Sequence, residues 1–311
     1  MSSLLAFPGQ GAQQPGMLHQ LPDEPLVRAH LQEACAVLSE DVLALDSLQA
    51  LRSTRAVQLC LLIAGVACAR LLIERSAAPD YVAGLSIGAY AAAVVAGALS
   101  FADALRLVTL RGELMQNAYP SGYGMTAIMG LDLNTIEALL GQVNSPQRPV
   151  YLANINADNQ VVIAGSHSAM ACVAELARAN GAGLAKPLKV SVPSHCPLLA
   201  EPAVHLRQAF AQVTLQRPSI GYLSGNSARL IGDPERLRDD LALNMCRVVD
   251  WHSTLQTAYE RGVRLHIELP PGAVLSALAR RVFLQGTVIA FQGARLDTLD
   301  ALLRQEVSLR Y

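Results

Sequence analysis

The chain has 311 residues, of which 52% are hydrophobic, 16% charged and only 5% aromatic. That length can bury one large core or two smaller ones, and the core must be filled mainly by Ala, Leu and Val. The formal net charge of -1 gives no electrostatic basis for binding nucleic acid or an anionic membrane surface. The cysteines, Cys35, Cys60, Cys68, Cys172, Cys196 and Cys246, form no C-x-x-C pair and no His/Cys cluster, so no metal site is expected. The opening MSSLLAFPGQ lacks a basic region followed by a long apolar stretch, so no secretory signal is expected. Free cysteines in that setting point to a cytoplasmic protein.

Leu4-Leu5-Ala6-Phe7 is a short apolar run that predicts a central strand. It stops at Pro8-Gly9-Gln10-Gly11-Ala12-Gln13, where a missing N–H and two glycines predict a loop able to turn backbone N–H groups toward a ligand. The loop lacks G-x-G-x-x-G and the Walker lysine, which argues against a nucleotide. Residues 24–51 show mixed helical periodicity, broken at Ser39-Glu40-Asp41. Ser53-Thr54 offers a cap for a helix over 56–73 that is apolar nearly all round and therefore buried.

Residues 80–103 contain no charge between their terminal aspartates and are long enough to span a bilayer. They are rich in Ala and Gly, however, and carry a turn signal, so a buried strand-turn-helix is the better account. Tyr81-Val82-Ala83 predicts the strand. Gly84-Leu85-Ser86-Ile87-Gly88 follows, then a helix of small residues. G-x-S-x-G between a strand and a helix is the signature of a nucleophile elbow, with the glycines removing side chains that would collide at the sharp turn. A tight turn whose serine only caps the helix would read the same way. Ser100-Phe101-Ala102-Asp103 resembles a capping box and predicts a helix through Met115. Arg111 falls late in that largely apolar helix. It reads either as a surface or ion-pair residue, or as an inward fork suited to a carboxylate.

The turn-rich stretch 119–124 suggests a domain boundary. Strands are predicted at 125–129, 150–154, 160–164 and 184–190, with helices near 134–142 and 168–180. That is the β-α-β-β-α-β order of a ferredoxin-like unit. The expected division is a discontinuous large domain, 1–122 and 191–311, interrupted by a small domain at 123–190. The connection 154–159 (NINADN) reads as a hairpin-like loop of turn-forming Asn. His195 follows between Pro193 and Pro197, and a helix begins near Pro197. Taken alone it is a loop histidine, and its neighbour Cys196 reads as a small buried residue. Further strands are predicted at 222–224, 266–269 and 288–291, with helices near 252–261 and 276–283. Strands alternating with helices predict an α/β fold whose large domain carries a mostly parallel sheet with helices on both faces.

Several stretches, in order, resemble the malonyl-CoA:acyl carrier protein transacylases. They are Phe7-Pro8-Gly9-Gln10-Gly11-Ala12-Gln13, the elbow at 84–88, Arg111-Gly112-Glu113-Leu114-Met115, NINADNQVVIAG at 154–165, Val192-Pro193-Ser194-His195, and ELPPGAVL at 268–275. Within that family the elbow G-L-S-I-G-A-Y is most similar to the malonyl-transfer (epsilon) subunit of bacterial malonate decarboxylase. The resemblance implies a hydrolase-like α/β core with a ferredoxin-like insert. It implies that Ser86 is the nucleophile, His195 the base, and the backbone carbonyl of Asn244 the third member of the relay. It also implies that the N–H groups of Gln10 and Ile87 form the oxyanion hole, and that Arg111 holds the free malonyl carboxylate. Asn156 and Leu85 are implied to lie on the substrate. Leu85 departs from the family, whose elbow reads G-H-S-x-G-E; the usual His lies near the acyl group.

The implied reaction is transfer of malonyl from malonyl-CoA to the phosphopantetheine-type thiol of an acyl carrier protein. No bound cofactor is implied beyond the coenzyme A thioester itself. Implied partners are the carrier and other malonate decarboxylase subunits. Rival readings are a malonyl transacylase of fatty-acid synthesis, a serine esterase or thioesterase, and a subunit that only docks a carrier. Arg264, Arg280 and Arg281 are candidates for meeting an acidic carrier, against the plainer reading of solvated arginines.

Overall fold

The computed structural model describes residues 2–308. It begins with strand β1 (Ser2–Phe7) and helix α1 (Pro25–Leu38). Ser39 adopts a left-handed φ of 56° and ends α1, so the mixed periodicity beyond it becomes two 3-10 turns, Val42–Asp46 and Ala50–Arg52. Helix α2 (Thr54–Arg75) is capped by the Ser53 side chain. It is long and apolar enough to cross a membrane, but 89% of its most apolar stretch is buried inside the protein. It packs against α1, against α3 (Gly88–Val95) and against α4 (Phe101–Ala118). Strand β2 (Tyr81–Gly84) leads directly into α3.

Helix α4 brings a charged residue into the interior, and its packing shows how. Ser100 Oγ accepts from the Asp103 N–H at 3.0 Å, as the capping-box reading anticipates. The buried face includes Leu107, Val108, Arg111, Gly112 and Met115. A Cβ on Gly112 would lie 2.5 Å from Arg55 Cα, so only glycine allows α4 to press this closely on the start of α2. Arg111 is one residue away and fully buried.

The next block contains β3 (Tyr123–Met129), α5 (Leu133–Val143), β4 (Val150–Ala157), β5 (Gln160–Ser166), α6 (His167–Ala179) and β6 (Leu184–Pro187). The chain then continues through α7 (Ala200–Phe210), β7 (Gly221–Leu223), β8 (Leu230–Ile231), α8 (Pro234–Leu243), β9 (Val249–Asp250) and α9 (Trp251–Glu260). It ends with β10 (Val263–Glu268), α10 (Val274–Ala279), β11 (Thr287–Ala290) and α11 (Leu296–Ser308). One sheet has the order β11-β10-β1-β2-β7-β8 and is parallel except for the final pair. The other has the order β6-β3-β5-β4-β9 and is antiparallel except where β9 joins β4. This is the α/β architecture anticipated, a larger mostly parallel sheet beside a smaller ferredoxin-like one.

Three local expectations are corrected. The loop expected at 154–159 is mostly strand: Asn154 and Ile155 bridge between β5 and β9, and β5 also pairs with Ala157, leaving Asp158 and Asn159 for the turn. The strand expected at 184–190 stops at Pro187, and the chain beyond leaves the sheet toward the cleft. The helix expected at 276–283 runs instead from Val274 to Ala279. Strands β8 and β9, two residues each, are too short to show periodicity.

His266, on β10 next to the edge strand β11, is fully buried, and neither ring nitrogen has a hydrogen-bond partner among the described residues. Its ring meets Phe283 edge-on with centroids 5.7 Å apart. Burial pushes its pKa down from 6.5 to about 4. The folded state therefore favours the neutral form. Its stabilisation is complete above 6.5 and lost as pH falls toward 4. His266→Leu should change stability little at pH 7, because no hydrogen bond is removed. Chemical unfolding at pH 7 and pH 4 should show the unsubstituted protein losing about 3 kcal/mol more than the variant. Equal losses would refute this account.

Candidate active site

The elbow is as tight as its glycines require. A Cβ on Gly84 would lie 2.0 Å from the carbonyl carbon of Gly88, and one on Gly88 would lie 2.2 Å from the Phe7 oxygen. Ser86 sits at a φ of 57°, a left-handed conformation that costs a non-glycine residue on the order of 1 kcal/mol or more. The turn is secured by the Leu85 N–H donating to Phe7 O and the Gly88 N–H to Leu85 O, each at 3.0 Å. No side chain caps α3, so the serine-as-cap reading does not hold. The Ser86 hydroxyl instead faces two other side chains.

The first is His195, also at a left-handed φ, 62°, and pinned by its N–H to Met245 O at 2.7 Å. Its Nδ1 lies 2.9 Å from the Asn244 carbonyl oxygen and its Nε2 lies 2.8 Å from Ser86 Oγ. A carbonyl can only accept, so Nδ1 carries the proton and Nε2 is free to accept from the serine hydroxyl. Burial, and secondarily the Arg111 charge, push the His195 pKa down from 6.5 to about 4. The ring is therefore neutral at neutral pH and can serve as a base.

The second is Arg111. Its Nη2 donates to Ser86 Oγ at 3.3 Å and to Asn244 Oδ1 at 3.0 Å. Its head group lies 5.7 Å from the centroid of the Tyr90 ring, whose hydroxyl donates to Leu241 O. Nε and Nη1 have no hydrogen-bond partner, and no carboxylate pairs with Arg111 among the described residues. Burial lowers its pKa, yet a guanidinium stays protonated. A buried cation without a counter-charge is costly, and an anionic ligand would relieve that cost.

A cavity of about 290 Å³ opens over the serine between the two sheets. The loop from Pro8 to Ala12 forms one wall, where a Cβ on Gly9 would lie 2.7 Å from Leu85 Cδ2. The backbone N–H groups of Gln10 and Ile87 donate to no acceptor among the described residues, which leaves both open to an oxyanion. Leu85 and Asn156 both line the cavity, and Asn156 Oδ1 is buried without a partner.

The structure thus brings Ser86, His195, Asn244 and Arg111 into direct contact, with Gln10, Leu85 and Asn156 around the cavity. Cys196, beside His195, donates its Sγ–H to Pro193 O at 3.2 Å, and burial pushes its pKa up to about 12, so it is a poor nucleophile. Among the three arginines considered for carrier contact, Arg264 stacks on Tyr259 at 4.1 Å and Arg280 reaches Val288 O. Arg281 reaches Asn159 Oδ1 at 3.2 Å across the cleft. Asn154 and Gln160, which sequence reading did not single out, also line the cavity, and Asn154 Oδ1 is likewise unpartnered. The Asn-x-Asn spacing on one strand was the signal available for Asn154; the turn reading of those asparagines hid it.

Residues 5–300 match the family model described as the acyl transferase domain. The malonyl CoA-acyl carrier protein transacylase of Escherichia coli K12 is 38% identical over 287 residues, covering 89% of this chain and 91% of the relative. The corresponding transacylase of Coxiella burnetii superposes with a TM-score of 0.92 at 33% identity, covering 98% of each chain. A malonyl-transacylase solved in complex with a type II polyketide acyl-carrier protein superposes with a TM-score of 0.87 at 35% identity, covering 93% of this chain and 94% of that one. The chain belongs to the acyl transferase domain family and, within it, to the malonyl-CoA:acyl carrier protein transacylases.

Proposed function

We propose that the protein transfers malonyl from malonyl-CoA to the thiol of an acyl carrier protein through a malonyl ester on Ser86. The observation that carries this reading is Arg111, buried without a carboxylate partner and 3.3 Å from the serine oxygen. His195 Nε2 takes the hydroxyl proton as Ser86 Oγ attacks the thioester carbonyl carbon. The N–H groups of Gln10 and Ile87 receive the oxyanion. When the C–S bond breaks, His195 returns the proton to the departing coenzyme A sulfur. In the second half the carrier's thiol gives its proton to His195 and attacks the ester, and the proton passes back to Ser86. The thioester is the substrate, and no bound cofactor enters either step. Arg111 pairs with the free carboxylate throughout, while Leu85 and Asn156 bound the acyl end of the cavity. We assign the site to the cleft between a discontinuous large domain, 1–122 and 191–311, and a small domain at 123–190.

Within this reading we favour the carrier subunit of malonate decarboxylase as acceptor, with that enzyme's other subunits as neighbours. The support is the elbow, where Leu85 stands in place of the usual His and Ala89-Tyr90 follows Gly88. A fatty-acid carrier is the alternative; the name of the E. coli relative gives an acyl carrier protein without saying which. Malonylated protein offered both carriers should pass its acyl group faster to the decarboxylase carrier; preference for the other would decide for fatty-acid synthesis. A hydrolytic serine enzyme fits less well, because the group behind His195 is the Asn244 carbonyl and not an acid.

Intact-protein mass spectrometry after incubation with malonyl-CoA should show one added malonyl group, absent in Ser86→Ala. Persistent labelling of that variant would reassign the nucleophile. Arg111→Ala should slow acylation by malonyl-CoA roughly 100-fold, from loss of charge-assisted hydrogen bonds, and slow acetyl-CoA much less. Equal losses would remove Arg111 from carboxylate binding. Because His195 must be neutral to act and its pKa is pushed down to about 4, the acylation rate should stay flat from pH 8 to about 5 and fall below that. A midpoint near the ordinary histidine value would contradict the burial argument.

A further inference from the structure

Asn226 lies in the turn after β7, outside every motif considered above. Its Nδ2 donates to two backbone carbonyls, Arg247 O at 3.1 Å and Val248 O at 2.9 Å. Carbonyls only accept, so these contacts determine which end of the amide is nitrogen. Asn226 Oδ1 is left facing Asn244, whose Nδ2 donates to it at 2.8 Å. Asn244 Oδ1 must then face Arg111, and it accepts from Nη2 at 3.0 Å. Were the Asn244 amide reversed, its N–H groups would confront the guanidinium N–H groups with no acceptor between them. The base of the chain is itself anchored: the Asn226 N–H donates to Ser224 Oγ at 3.2 Å, and Ser224 Oγ donates to buried Asp240 at 2.6 Å.

Arg111 Nη2 donates to two side-chain acceptors, Ser86 Oγ at 3.3 Å and Asn244 Oδ1 at 3.0 Å, and the Tyr90 hydroxyl also interacts with the guanidinium. Acylation turns the first into an ester oxygen, a poorer acceptor. Asn244 Oδ1 is then the shortest directional contact left to aim the guanidinium, with Tyr90 beside it. We propose that Asn226 is a positioning residue for acyl selectivity: by setting the direction of the Asn244 amide, it aims Arg111 at the substrate's free carboxylate. This rests on the reading of Arg111 as the carboxylate anchor. A purely structural role, holding the backbone at 247 and 248, would instead disturb the Asn244 carbonyl behind His195 and slow every acyl donor alike.

The test compares Asn226→Ala and Asn226→Asp with the unsubstituted protein. Acylation of Ser86 by malonyl-CoA and by acetyl-CoA is followed by quenched-flow mass spectrometry. N226A should lower kcat/KM for malonyl-CoA about tenfold, mainly through KM, and change acetyl-CoA less than twofold. N226D keeps an acceptor for Asn244 Nδ2 but sets an acceptor-only oxygen against the carbonyls at 247 and 248, so it should lose the malonyl-to-acetyl ratio as N226A does. An unchanged ratio in N226A or in N226D, or an equal loss for both acyl donors, overturns the proposal. If the alanine protein does not fold, Asn226→Ser replaces it; its hydroxyl is too short to span both partners, and the same loss of ratio is expected. Arg111→Ala, measured in parallel, separates the two readings. An unaltered ratio there removes the anchor itself and Asn226's role with it, whereas a lost ratio there with an unchanged one in N226A removes only Asn226.

Discussion

A guanidinium removed from water with no carboxylate beside it is the constraint on which this site depends. Removing a charge from water costs several kcal/mol unless something compensates. Here compensation within the chain is partial: a serine oxygen, an asparagine oxygen and the face of Tyr90 surround Arg111, while Nε and Nη1 stay unpartnered. The packing that holds this arrangement extends well beyond the site. Helix α4 must lie close enough to α2 for the charge to be interior, and Gly112 against Arg55 is what permits that approach. The same cation also sits near His195 and helps keep that ring neutral.

Asn244 joins the two halves of the chemistry. Its backbone oxygen accepts from His195 Nδ1 and its side-chain oxygen accepts from Arg111, so in the proposed reaction one residue would serve both the proton transfer and the charged end of the substrate. A carboxylate at this position would supply the same two acceptors. It would also neutralise the guanidinium, whose charge would then no longer be available to an incoming anion. The use of a backbone carbonyl behind His195 is thus consistent with keeping Arg111 unpaired.

The elements that were legible in the sequence are those with local physical causes. Gly84 and Gly88 mark a turn no other residue fits, Ser100 and Asp103 announce the start of α4, and the unbroken apolar run of α2 states its burial. Ser86, His195 and Arg111 were visible as candidates, but three residues separated by 25 and 109 positions do not announce their contact. The motif resemblance, not periodicity, brought them together and pointed to Asn244. Asn154 closes the expected strand 150–154 and opens the expected loop, because asparagine favours turns; its pairing with Val249 depends on a segment almost a hundred residues later. Asn226 carried no signal at all: its importance lies entirely in which atoms of the amide face which neighbours.

The two-residue strand β9 bears on how the cleft can move. It pairs with Asn154 and Ile155 of the smaller sheet, yet it follows within a few residues of Asn244. The cavity wall that carries Asn154 and Asn156 and the carbonyl that meets His195 are therefore tied to one short ribbon of backbone. Any displacement of the smaller sheet would be passed through that ribbon toward Asn244. A change in cleft width would in that case reach the hydrogen bond between the Asn244 carbonyl and His195.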